Sequence, residues 1–234
     1  MENHLTFQKG LKDGVPICLG YIPVAFAFSI RTIVLGVPGW AAILTSLTNL
    51  TSAGQYAGIE LIAEHCAYLE IAVTLFVINL RYMLMSLAVS QRLDPSVPTW
   101  QRMIFSFGIT DETFVVASIQ KGRLNTGYMM GLILLPIAGW NFGTVLGVIA
   151  SQILPATLQN ALGMALYAMF IAILVPAAKE NHKIFLVILI AVAISCILYF
   201  VPFLSFVSSG MRIIIAAVLA AAAGAWLFPR REEV

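Results

Sequence analysis

The chain has 234 residues, 60% of them apolar, with 13 Lys plus Arg and 11 Asp plus Glu making up 10%, and its mean hydropathy is +0.94. A soluble domain carries about 25% charged residues and could not wet its surface at this density, so the bilayer is part of the protein's solvent. A formal charge of +2 without a Lys/Arg-rich run leaves no basic face for nucleic acid. The dispersed Cys18, Cys66 and Cys196 suggest neither a disulfide framework nor a metal knuckle.

The first thirteen residues are polar and include Lys9 and Lys12. The apolar run from Gly14 to Gly36 is too long for a signal-peptide core and has no small-residue cleavage site, so it predicts a retained first helix. Pro16 and Pro23 predict a kink within it. Further apolar stretches follow at 39–63, 66–90, 103–120, 127–150, 157–178, 184–203 and 211–228. At about 20 residues per span these eight segments leave little for a soluble domain, so 1–234 reads as a single transmembrane transporter domain. The longest connection, 91–102, holds Pro95, Pro98 and Trp100.

Two segments have polar centres. Residues 39–63 carry Thr48-Asn49-Leu50-Thr51-Ser52-Ala53-Gly54-Gln55, and the short 103–120 carries Gly108, Thr110, Asp111 and Glu112. Both predict broken helices, and broken backbone at membrane depth is tolerated only where it is buried in protein or lines a wet cavity. If all eight segments span and the N-terminus is cytoplasmic, Arg92, Arg102 and Arg212 fall outside. If the two odd segments are re-entrant, Arg92 and Arg102 move inside and only Arg212 stays out, which suits the positive-inside rule better. The expected fold is therefore an all-α polytopic helical bundle of about six full spans plus two broken or re-entrant segments, with eight spans as the alternative. Both termini are then cytoplasmic. An echo between 79–93 and 141–154 suggests an inverted repeat, although two apolar helices can match by coincidence.

Charge inside a membrane is costly. Glu70 and Arg81 are eleven residues apart, about 20° from one helix face but about 16 Å along it, so Arg81 needs a counter-charge on another element. Asp111 or Glu112 can supply it. These neighbours are about 100° apart on a helix, so one can pair with Arg81 while the other binds an ammonium or carries a proton. A helix restarting near Ser52 would expose N–H groups able to hold a carboxylate, while Gly54-xxx-Gly58 also suits close helix packing. Gly139, Gly143 and Gly147 give a smooth packing face. There is no HExxH, G-x-S-x-G, P-loop or G-x-G-x-x-G pattern, so the expectation is a transporter and not an enzyme, with no cofactor or metal.

Residues 14–28, Ser52-Ala-Gly-Gln-Tyr-Ala, Ile78-Asn-Leu-Arg-Tyr-Met-Leu-Met-Ser and Thr110-Asp-Glu-Thr-Phe resemble, in order, the AzlC family. The family is the large subunit of bacterial branched-chain amino-acid exporters, also called azaleucine-resistance proteins. The resemblance implies export of L-valine, leucine, isoleucine and sometimes methionine across the bacterial inner membrane, with a small hydrophobic AzlD-like subunit as partner. Ser29 stands where the family usually has Gly, and Tyr56 where it often has Phe. The combined expectation is a proton-coupled antiporter. The half-helix beginning near Ser52, Gly54 and Gln55 would hold the substrate carboxylate, Asp111 or Glu112 the ammonium or the proton, and Asn79 and Arg81 would complete the polar floor. Phe26, Tyr56 and Met83 would fit the aliphatic chain. A passive channel or accessory membrane subunit is the alternative.

Overall fold

The computed structural model describes residues 5–155, 181–201 and 206–228, together with 157, 158, 171, 175, 178 and 179. Its helices are α1 (Phe7–Val34), α2 (Gly39–Thr48), α3 (Ala53–Ala63), α4 (Tyr68–Arg92), α5 (Thr99–Phe107), α6 (Asp111–Ser118), α7 (Thr126–Ser151), α8 (His182–Phe200) and α9 (Ser209–Leu227). Among the described residues five helices, α1, α4, α7, α8 and α9, are long and apolar enough to cross a membrane. The protein is an all-helical polytopic membrane protein; most of the segment expected at 157–178 lies outside the described residues.

Helix α1 starts seven residues before the apolar run. The Thr6 side chain accepts from Lys9 N at 3.2 Å, and Lys9 pairs with Asp13 at 2.7 Å, so the polar lead-in gains a cap and an i,i+4 ion pair. The helix is continuous through Pro16 and Pro23. Both expected broken segments are broken: Asn49 leaves α2 in extended conformation, and Gly108 to Thr110 separate α5 from α6.

The contacts divide the chain into two compact units, Met1–Ile59 with Asn79–Ala165, and Glu60–Ile78 with Leu166–Val234. In the first, α1 and α7 run parallel along a stripe of small residues. Gly10 meets the backbone of Tyr128 to Leu132, Gly139 meets Cys18, Gly143 meets Ile22, and Gly147 meets Phe26 and Ser29. This is the close backbone approach expected for the glycine repeat. Ser29 is accommodated because Gly147 leaves room and the Phe26 carbonyl accepts its hydroxyl at 2.9 Å.

The α1–α7 pair serves as a depth ruler for the broken segments. Helix α2 begins at the end of α1, with Gly39 facing Ile33 and Val148, and moves inward until Ser46 meets the Thr144 hydroxyl at 2.8 Å. Leu50 then joins the core of Ile17, Tyr21 and Trp140. The chain turns at Ser52, whose φ is 44°, and climbs back: Gln55 returns to Ser46 at 3.2 Å, and Tyr56 donates to the Val24 carbonyl at 3.0 Å and stacks edge-on against Phe28. The tyrosine that replaces phenylalanine thus has an acceptor for its hydroxyl.

The second hairpin enters from the opposite end. There Leu93 pairs with Leu124, and the Gln101 side chain accepts from the Thr126 hydroxyl at 2.6 Å. Gly108 packs on Ile133, Thr110 reaches Tyr21, and α6 returns so that the carbonyls of Ala117, Ser118, Gln120 and Gly122 all accept from Arg92. Residues 39–59 and 103–120 therefore fold as hairpins that turn back within the first unit, the re-entrant form expected for them. Helix α4 ends where α7 begins, so the echoed stretches 79–93 and 141–154 run in opposite directions, as an inverted repeat requires.

In the second unit Gly224 of α9 lies against Val187 of α8. The Glu70 carboxylate accepts from Gly210 N at 2.9 Å, capping α9, which Ser208 does not do.

Candidate functional site

The two hairpin tips, 49–52 and 108–110, both lead into the N-terminus of a short helix, and both reach the middle of the first unit. Tip formation follows from local chemistry. The Thr51 hydroxyl donates to Asn49 Oδ1 at 2.7 Å, while Thr110 caps α6 and forms a capping box with Thr113. Asp111 and Glu112 occupy the first turn of α6, where the helix dipole favours negative charge.

The counter-charge of Arg81 is Asp111. Nη1 lies 2.5 Å from Asp111 Oδ2, and Nη2 donates to the Tyr82 hydroxyl at 3.0 Å. Tyr82 in turn donates to the Thr51 carbonyl at 3.1 Å, and its ring lies under the guanidinium at 4.7 Å. A single cation therefore links a carboxylate at one tip to a carbonyl at the other. Both charged side chains are 46% exposed within this chain.

Glu112 takes a different partner. The Tyr21 hydroxyl lies 2.6 Å from both the Glu112 carboxylate and the Thr110 hydroxyl; its one proton goes to the carboxylate, and Thr110 supplies one in return. The Tyr21 ring is held edge-on by Trp140. The two adjacent carboxylates thus diverge, as their helical spacing requires.

At the first tip, Asn79 of α4 lies against Gly54. A side chain on Gly54 would begin 2.5 Å from Thr51 Oγ1 and 2.6 Å from Asn79 Oδ1, so a larger residue there would push these two side chains aside. Gln55 is buried between α3 and α2, and among the described residues neither Gln55 Oε1 nor Asn79 Oδ1 has a hydrogen-bond partner. Ser52 stands at the turn. Of the apolar candidates, Tyr56 is buried against α1, whereas Met83 is 57% exposed.

Arg81, Asp111, Asn79, Gly54, Gln55 and Ser52 are therefore gathered at the two tips, while Glu112 is drawn to α1 and Tyr56 faces away into the core. The sequence alone did not single out Tyr21, Tyr82 or Thr51. Tyrosine in an apolar run reads as core, and only the fold shows where its hydroxyl goes.

The family model described as AzlC protein matches residues 16–154, more than half of the chain and every residue of this site. The chain belongs to the AzlC family. An uncharacterized membrane protein of Archaeoglobus fulgidus is 34% identical over 184 residues, covering 78% of this chain and 80% of that protein. Inner membrane protein YgaZ of Escherichia coli is 28% identical over 187 residues, 76% of each chain. An uncharacterized membrane protein of Helicobacter pylori is 25% identical over 186 residues, 76% of this chain and 80% of its own. No solved structure matches.

Proposed function

We propose that this AzlC protein is the large subunit of a two-component exporter of the branched-chain amino acids L-valine, leucine and isoleucine. It exchanges substrate for protons and works with a small hydrophobic AzlD-like subunit. The membrane is the bacterial plasma membrane, with both termini cytoplasmic; Lys9, Lys12, Arg92, Arg102, Lys121 and Arg123 cluster at the end where α1 starts.

The observation that carries the reading is the Arg81–Asp111 pair between two opposed hairpin tips. Charges at membrane depth mark solute and proton pathways, and broken half-helices meeting there form the binding place in carriers built from inverted repeats. Amides and hydroxyls around the pair bind a zwitterion without reacting with it. Substrate contacts are assigned to Ser52, Gly54, Gln55, Tyr56, Asn79, Arg81, Asp111 and Glu112, with Asp111 or Glu112 as the proton carrier.

The test is efflux of labelled L-valine from proteoliposomes containing this chain and the small subunit encoded beside it. Efflux driven by an imposed proton gradient and abolished by a protonophore is expected. Efflux indifferent to the gradient favours the second reading, a passive channel.

A further inference from the structure

Buried polar atoms without partners are costly, and at the first tip those atoms are acceptors. Gln55 is 1% exposed, and its orientation follows from a relay. The Thr144 hydroxyl donates to the Trp140 carbonyl at 3.0 Å, so Ser46, 2.8 Å away, must donate to Thr144. That leaves the Ser46 oxygen to accept from Gln55 Nε2 at 3.2 Å. Gln55 Oε1 is thereby left as a lone acceptor among the described residues, and Asn79 Oδ1, held at Gly54 beside Thr51, is a second. A buried acceptor left unmatched costs about 1–3 kcal/mol, so such a pair marks a place for a donor-bearing ligand.

The helix N-terminus argues weakly against a cation here. Gly54 N is already bonded to the Thr51 carbonyl at 3.2 Å, and the carboxyl end of α2, with its opposite partial charge, meets the same tip. Across the Tyr82 hydroxyl stands the opposite chemistry. Arg81 offers a planar fork matched to a carboxylate, and its ion-pair partner Asp111 contacts it through one oxygen.

We propose that the transported amino acid binds with its ammonium on Asn79 Oδ1 and Gln55 Oε1 and its carboxylate on Arg81, displacing Asp111. This rests on the exporter reading, and it reverses the polarity suggested by a helix start at Ser52. The site selects zwitterions by two half-sites of opposite character on the two sides of Tyr82. A solute lacking either head group leaves one half-site unmatched.

Two analogues of valine separate the half-sites: isobutylamine, which lacks the carboxylate, and isovalerate, which lacks the amine. The experiment measures their competition with labelled L-valine for the two-subunit complex in detergent. Asn79→Leu is expected to weaken valine at least tenfold and isobutylamine similarly, leaving isovalerate within twofold. Arg81→Gln is expected to show the mirror pattern. Asn79→Asp retains the acceptor oxygen and guards against a folding defect; it is expected to keep isobutylamine binding and depress isovalerate. Weakening of isovalerate by Asn79→Leu, or loss of isobutylamine in Asn79→Asp, overturns the assignment while valine binding by the unsubstituted complex stands. Failure of the unsubstituted complex to bind valine overturns the exporter reading itself, and this one with it.

Discussion

Arg81 of α4 and Asp111 of α6 meet at 2.5 Å although thirty residues separate them, and the meeting joins a full span to the first residue of a returning half-helix. Charges at membrane depth are opposed by lipid, and here each is matched by the other. The same guanidinium reaches Tyr82, and through it the carbonyl of Thr51 on the other hairpin.

Replacing either partner should therefore stop transport. A hydrogen bond to a charged group is worth about 1.5–3 kcal/mol, and exposure places this one at the lower end, so Arg81→Ala and Asp111→Asn should each lower valine efflux about tenfold or more. Efflux at the unsubstituted rate in both variants would remove the pair from the mechanism.

The hairpin geometry predicts which loops share a side. In a chain lacking Cys18 and Cys196, the native Cys66 and a Val37→Cys variant should be labelled by an impermeant maleimide from one side. Ser96→Cys and Lys121→Cys should be labelled from the other. Labelling of Cys66 and Val37→Cys from opposite sides would mean that residues 39–63 cross the membrane.

Cys66, in the turn between α3 and α4, also predicts a pH dependence. Burial first, and then the carboxylates of Glu70 and Glu64, push its thiol above the ordinary range. The thiolate is the reacting form, so a raised value means less of it at neutral pH. Maleimide labelling should be slower than at an ordinary exposed cysteine and climb about tenfold per pH unit over a correspondingly higher range. Glu64→Gln should move the rise to lower pH; an unchanged profile would leave burial and Glu70 as the causes.

The α1–α7 seam should tolerate no added bulk. A side chain on Gly143 would start 2.9 Å from Ile22 Cα, and on Gly139 it would start 2.8 Å from the Cys18 carbonyl. Overpacking of this kind costs about 1–3 kcal/mol, so Gly143→Leu should lower the thermal midpoint of the purified protein by several degrees, while Gly20→Leu, in open space, should not.

Much of this architecture is legible along the chain. Hydropathy alone finds the long helices, and a polar run such as Thr48 to Gln55, or Gly108 with Asp111 and Glu112, marks a break because such residues cannot sit unsatisfied against lipid. The need for an Arg81 partner is equally plain, since a buried charge demands an opposite one and the chain offers few. Even the divergence of Asp111 and Glu112 follows from 100° per residue.

What no local rule decides is where a broken segment goes after it breaks. The same polar tip serves a crossing or a return, and the choice lies in partners far away in sequence: Gln55 returning to Ser46, and Arg92 gathering the carbonyls at the end of α6. The roles of Tyr21 and Tyr82 are hidden for the same reason, because a tyrosine in an apolar stretch is an ordinary core residue until the fold brings Glu112 or Thr51 to its hydroxyl. Composition and periodicity place this protein in the membrane and name its charges; long-range hydrogen bonds alone turn two broken helices into opposed hairpins around Arg81.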